Sequence, residues 1–212
     1  MYVAGRNIEI SGAGYRPEGE FFENGRTLDP AADENLFLAL KISALCNDST
    51  VKLREDKAVL MGDPTEGALL VAALKAGLDQ EALQKEQPRN GELPFSSEKR
   101  YMATAHPTRE GSSIIYVKGS VDRVLAMCRQ IREDGAVKEF TPEKQAEIER
   151  RNLEMASKAL RVMALAYTEH PHPLEQLSHD HINGTLVFAG LAGMIDPPRK
   201  EAKTAVADCK RA

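Results

Sequence analysis

The sequence predicts an α+β fold in which strands pair antiparallel through short turns and helices pack between them. Three observations carry this. Residues 93–125 read LPFSSEKRYMATAHPTREGSSIIYVKGSVDRVL, so that residues 101–105 and 114–117 form β-branched and aromatic runs on either side of a Pro-, Gly- and Ser-bearing loop. Asp134-Gly135, within residues 131–138, is a second hairpin signal. Helix starts with an N-cap residue followed by Pro recur at Asp29-Pro30, Asp63-Pro64 and Thr141-Pro142.

Taken in order, residues 1–10 read as a strand, followed by glycine-rich turns at residues 11–14 and 17–19. The helix from Asp29-Pro30 carries Leu36, Phe37, Leu40 and Ala44 on one face and stops at the polar Cys46-Asn47-Asp48-Ser49. Two short extended pieces follow, at residues 51–53 and 58–61. The next helix opens at Gly62-Asp63-Pro64-Thr65-Glu66-Gly67, has Leu69, Ala72, Ala73 and Ala76 as apolar positions, and ends at Gly77. Asp63 as N-cap with Glu66 at the third position reads as a capping box, in which Glu66 needs no ligand. Beyond the central hairpin, Val121, Val124, Leu125 and Cys128 recur at helical spacing. The helix from Thr141 carries Ile148, Asn152, Met155 and Ala159 as one stripe. Residues 161–168 (RVMALAYT) and 185–195 read as buried strands, and Asp196-Pro197-Pro198-Arg199 stiffens the backbone as a hinge or boundary. A last helix is expected from about Lys200, with Ala202, Ala205, Val206 and Cys209 on one face. Its lack of a C-cap suggests a piece of a longer protein.

The totals narrow the function classes. Hydrophobic content of 42% and charged content of 28% are those of an ordinary globular domain. A net charge of −4 gives no basic footprint for nucleic acid. Cys46, Cys128 and Cys209 are far apart with no C-x-x-C spacing, which argues for a reducing compartment and against a zinc site. The longest apolar run, residues 186–195, is half the ~20 residues that span a bilayer, so the chain reads as soluble. His170, His172, His179 and His181 share a loop-rich stretch between prolines, which reads as a solvated loop rather than a metal site.

Lys118-Gly119-Ser120 lies where a strand passes into a helix. Backbone N–H groups at a helix start suit a phosphate, and a glycine there lets a ligand approach the chain. Phe95 offers an aromatic face, with Lys99 and Arg100 a few residues on. Each feature has a plainer account: a tight turn with a solvated lysine, and a core phenylalanine. No G-x-x-x-x-G-K-[ST] loop occurs.

Five collinear segments resemble the cytoplasmic nucleotide-binding domain of P-type cation-transporting ATPases, type II, the calcium-pump branch most of all. They are Cys46-Asn47-Asp48-Ser49, Gly62-Asp63-Pro64-Thr65-Glu66-Gly67-Ala68-Leu69, Pro94-Phe95-Ser96-Ser97-Glu98-Lys99-Arg100-Tyr101-Met102, Lys118-Gly119-Ser120-Val121-Asp122 and Met194-Ile195-Asp196-Pro197-Pro198-Arg199. The resemblance implies a central, mostly antiparallel twisted sheet flanked by helices, with a nucleotide-binding domain over residues 1–195. Residues 196–212 are then the hinge and the start of a return into a phosphorylation domain. It implies ATP as ligand, with Mg²⁺ accompanying it, and no protein metal ligands in this chain. Phe95 is similar to the residue on which adenine stacks, and Glu66 to the acid near its exocyclic amine. Arg100 falls where calcium pumps commonly carry a lysine near the phosphates. Lys118 is the pocket lysine, with Gly119 and Ser120 beside it; Arg161 resembles an arginine that contacts nucleotide, and Met163 lines the pocket. Asp196 resembles the hinge aspartate.

Some positions depart from the family pattern. Ser120 replaces a frequent Ala, Asp122 a Glu, and Ser97 an arginine found in animal-type calcium pumps. The chain also has no Asp-Lys-Thr-Gly, Thr-Gly-Asp or Gly-Asp-Gly motif and no membrane segment. The resemblance therefore implies a fragment that binds ATP without turning it over. Its partners would be the phosphorylation, actuator and transmembrane domains of one full-length pump, with this domain on the cytoplasmic side. The alternatives are a stand-alone nucleotide-binding regulator and a structural interaction module.

Overall fold

In the computed structural model, residues 1–54, 57–174, 176–195 and 209 are described. The organising element is one large sheet whose two faces are both covered. Its central ladder contains β8 (Tyr101–Pro107), β9 (Ser113–Gly119), β12 (Arg161–His170) and β13 (Leu186–Met194), all antiparallel neighbours. β7 (Gly91–Leu93) extends it at one side. At the other, β1 (Tyr2–Val3), β2 (Arg6–Ile10), β3 (Phe21–Glu23) and β4 (Arg26–Leu28) follow in hairpin order.

β13 carries two different partners along one edge. Its second half pairs antiparallel with β1, Tyr2 opposite Leu191. Its first half pairs parallel with β10 (Cys128–Glu133), which forms a hairpin with β11 (Ala136–Glu139). The sheet is thus antiparallel except at this one pair, as the sequence predicts. β5 (Thr50–Arg54) and β6 (Lys57–Met61) form a separate two-stranded ribbon.

Alternate residues of the central strands feed two cores. Met102, Tyr116, Leu165 and Tyr167 point to the face covered by α1 (Glu34–Leu45), α2 (Pro64–Lys75) and α3 (Gln80–Glu86). Tyr101, Ala103, Ile115, Val117, Ala164 and Ala166 point to the opposite face, with α4 (Val121–Met127) and α5 (Pro142–Ser157). Burial on both faces explains why β9, β12 and β13 read as near-continuous apolar runs rather than alternating ones. Each fully buried Leu, Ile or Phe among them contributes about 1.5–3 kcal/mol.

Turn chemistry fixes the chain reversals. Ala4-Gly5, Asn24-Gly25 and Asp134-Gly135 all have positive φ at both positions, the geometry of a two-residue hairpin. The expected strand over residues 1–10 is therefore two strands, β1 and β2, broken at Ala4-Gly5. The hairpin of β3 and β4 and the short α3 were not expected. Asp29 caps only a single 3-10 turn, Pro30–Ala32, and Asp33 is the N-cap of α1, accepting from the Asn35 and Leu36 amides. The hinge at residues 196–199 and the last helix from Lys200 fall outside the described residues, Cys209 excepted.

The C-terminus of α1 meets the rest of the fold through side chains. The last carbonyls of a helix have no partner within it. Here Asn47 Nδ2 donates to Ser43 O (2.8 Å), Gln80 Nε2 to Ala44 O (3.1 Å), and Arg89 Nη2 to Leu45 O (3.4 Å). Gln80 in α3 and Arg89 just beyond it, both distant in sequence, are thus tied to the end of α1.

Candidate functional site

A cavity of about 560 Å³ opens where β9 and β12 end beside the N-terminus of α2, a size suited to a small-molecule ligand. Its wall includes Glu66, Phe95, Arg100, Lys118, Ser120, Arg161 and Met163. Seven of the eight expected site residues are thus brought together from four parts of the chain. Gly119 is the exception. It lies opposite Tyr101 in the ladder, and a Cβ on it would sit 2.6 Å from Tyr101 Cβ and 2.7 Å from Arg100 O. Its missing side chain lets β8 and β9 close together, on the face away from Lys118.

Lys118 is 2% exposed, in the middle of the sheet with Met102 and Leu165 as its cross-strand neighbours. It is not a solvated turn lysine. Burying an ammonium is costly unless it is paired, and Lys118 Nζ lies 2.8 Å from Glu66 Oε1. The contact is an ion pair by distance, yet the ammonium makes no well-directed hydrogen bond among the described residues. Its donor capacity is therefore not used up.

Glu66 does not turn back onto its own helix start. Asp63 caps α2 alone, accepting from the Thr65 and Glu66 amides (2.8 and 3.2 Å). Burial raises the Asp63 carboxyl, but those two amides outweigh it and hold the group below its ordinary value. The Glu66 carboxylate instead reaches Lys118, the Asp48 amide (Oε2, 3.0 Å) and Ser49 Oγ (3.4 Å). The capping box expected from the sequence is thus only half formed.

Phe95 is 59% exposed on the loop between β7 and β8 and belongs to neither core cluster. Its plain reading as a core residue is corrected. The same loop turns through Arg100, which has φ +59 although it is not glycine. The Arg100 amide donates to Ser96 O (2.7 Å), its carbonyl accepts from the Ser120 amide (2.9 Å), and its guanidinium forks onto Asp122 (3.2 and 2.5 Å). Burial raises Asp122, while the Ser120 hydroxyl and Arg100 outweigh it and keep the carboxyl low. Across the mouth, Arg161 Nη1 donates to Thr65 Oγ1 at 2.6 Å.

Lys99 turns away from the cavity, against His179, whose Nδ1 lies 2.5 Å from Tyr101 Oη. The histidine stretch is accordingly part-packed onto β8 rather than wholly solvated. Among the described residues, no group of three or more His, Cys, Asp or Glu is placed to hold a metal ion. No helix among them is long and apolar enough to cross a membrane. The sequence reading passed over Asp48, Asp63 and Thr65 as wall residues, although all three lie within motifs it had singled out.

An antiparallel sheet with helices on both faces, and a cavity joining an exposed aromatic ring to a buried lysine, define the class. Comparison with known proteins agrees. The family model described as the P-type ATPase cytoplasmic domain N matches residues 35–201. The chain belongs to that family. It is 41% identical over 220 residues to the cation-transporting ATPase pma1 of Synechocystis sp., covering 99% of this chain and 23% of that protein. It is 34% identical over 215 residues to the calcium-transporting ATPase of Bacillus subtilis, covering 100% of this chain and 24% of the relative. A bovine relative, calcium-transporting ATPase type 2C member 1, is 34% identical over 205 residues, covering 95% of this chain and 20% of its own length. The chain thus spans about a quarter of the length of these relatives.

Proposed function

We propose that residues 1–195 form an ATP-binding domain of a P-type cation pump and that the cavity beside α2 is the nucleotide site. The observation that carries this is the pairing, in one cavity, of an exposed Phe95 ring with a buried, incompletely hydrogen-bonded Lys118. Exposing a phenylalanine costs burial energy with no gain to the fold, and an aromatic face can recover about 1–3 kcal/mol by stacking on a base. Glu66 accepts from the exocyclic amine of adenine. Arg100, Lys118 and Arg161 supply positive charge to the phosphates, the Ser120 hydroxyl lies beside them, and Met163 packs on the base. Gly119 acts at one remove, by letting β8 and β9 close so that Lys118 and Ser120 reach the cavity.

In the whole pump the γ-phosphate would be presented to an aspartate in a phosphorylation domain, with Mg²⁺ accompanying ATP and shielding its charge. Residues 196–212 would lead from this domain into that one. This chain contains no Asp-Lys-Thr-Gly motif, so by itself it binds ATP without turning it over. The names of the relatives favour calcium as the transported ion. On this reading the domain faces the cytoplasm, and its partners are the phosphorylation, actuator and transmembrane domains of the same pump.

Amide NMR during an ATP titration tests the site. Expected are saturable shifts at Phe95, Glu66 and residues 118–120, with a Kd of roughly 0.1–1 mM, about −4 to −5.5 kcal/mol, lost in Phe95→Ala. A folded sample with no shifts at several times that concentration would overturn the reading.

A further inference from the structure

We infer that Asn47, which does not reach the cavity, is a positioning residue that makes the site select adenine over guanine. The inference rests on the nucleotide reading above. Selectivity at Glu66 requires its carboxylate to stay where an exocyclic amine can donate to it. At the same position guanine presents a carbonyl oxygen, which a carboxylate repels. Glu66 lies in the first turn of α2, where nothing in its own helix restrains the side chain. The restraint comes from the turn after α1.

Asn47 is 1% exposed and uses its amide fully. Nδ2 donates to Ser43 O (2.8 Å) and to the Glu66 carbonyl (2.9 Å), while Oδ1 accepts from the Ser49 amide (2.9 Å). Only one orientation of the amide satisfies all three partners, so the side chain locks α1, α2 and the 47–49 turn in a fixed relation. That turn delivers the Asp48 amide to Glu66 Oε2 at 3.0 Å, and places Ser49 Oγ between Asp63 O (3.1 Å) and Glu66 Oε2 (3.4 Å). With Oε2 held there, Oε1 is left at the Lys118 ammonium. Asn47 therefore holds Glu66 twice, through its backbone carbonyl and through the turn whose Asp48 amide fixes its carboxylate.

The test is a pair of NMR titrations, ATP and GTP, on the full chain and on Asn47→Ala. The native chain should bind ATP at least about fivefold tighter than GTP, and the variant should bring the two within about twofold, mainly through weaker ATP binding. A purely structural role would weaken both nucleotides together. An unchanged ratio in a folded Asn47→Ala therefore overturns this inference alone. Native chain that binds neither nucleotide overturns the nucleotide reading and this inference with it. If Asn47→Ala does not fold, Ser49→Ala decides. It removes the hydroxyl that lies between Asp63 O and Glu66 Oε2 while leaving the amides intact, and it must lower the ATP/GTP ratio for the inference to stand.

Discussion

Replacing Lys118 by methionine keeps most of the volume of the side chain and deletes the charge that faces Glu66. At 2.8 Å the gross attraction of the pair is about 6 kcal/mol at an effective dielectric of about 20, before the desolvation of both groups is subtracted. Removing one partner of a buried pair costs about 3–5 kcal/mol when the other is stranded. Glu66 is not wholly stranded: its side chain is 15% exposed, and the Asp48 amide and Ser49 hydroxyl remain. The expected loss for Lys118→Met is therefore about 2–3 kcal/mol, or a Tm lower by roughly 5–10 °C for a domain of this size. Glu66→Gln should lose at least as much, because the single amide oxygen cannot serve both Lys118 and the Asp48 amide, and the buried ammonium is left without a counter-charge. The double variant should lie within about 1 kcal/mol of the native chain, since no charge is left unpaired. Urea unfolding of the four proteins measures this. Single losses that simply add in the double variant, to within about 0.5 kcal/mol, would show that the two charges do not stabilise each other.

The remaining predictions concern buried groups and glycines. Burial holds the His106 imidazole down to about 4, against an ordinary 6.5, with Nδ1–H donating to Gln87 O and Nε2 accepting from Thr104 Oγ1. The unfolded chain takes up this proton first, so stability is complete above pH 6.5 and falls as pH drops towards 4. The total loss is roughly 3 kcal/mol, and His106→Asn should flatten that part of the stability–pH curve, read by urea unfolding at stepped pH. Gly119→Ala forces a Cβ into Tyr101 and the Arg100 carbonyl and should cost about 1–3 kcal/mol by the same assay. Gly67→Ala puts a Cβ 2.5 and 2.7 Å from the Leu60 methyls and 3.1 Å from Leu60 Cγ. The gain of up to about 1 kcal/mol from helix propensity appears only if that half-buried side chain swings aside, so the net change should lie within about 1 kcal/mol of zero.

What was legible in the sequence was whatever is encoded locally. Pro64 after Asp63 gave the start of α2, Thr141-Pro142 that of α5, and Asp134-Gly135 the β10–β11 turn, because each rests on neighbours in the chain. The hairpin at Asn24-Gly25 escaped because its strands are three residues each and bury only Phe21. α3 escaped because its seven residues carry a single buried apolar side chain, Leu83. At the site, the motifs named most of the wall residues, but the plain alternatives for Phe95, Glu66 and Lys118 all failed. Glu66 read as a cap and Lys118 as solvated because the partner of each lies 52 positions away, and no local pattern can show a contact at that separation.

The shared edge of β13 has a mechanical consequence. Because β1 runs antiparallel to its second half, with Tyr2 opposite Leu191, Met1 and Ile195 emerge at the same end of the sheet and border one groove. A pull on those two residues would load the ladder like a zipper, its bonds parting in turn rather than sharing the force. The two-residue β1 would peel first. The β12 ladder starts at this same end, with Arg161 opposite Met194, whereas Lys118, opposite Leu165, lies deeper in the sheet. A tug transmitted through this end therefore reaches the Arg161 rim of the cavity before it reaches Lys118.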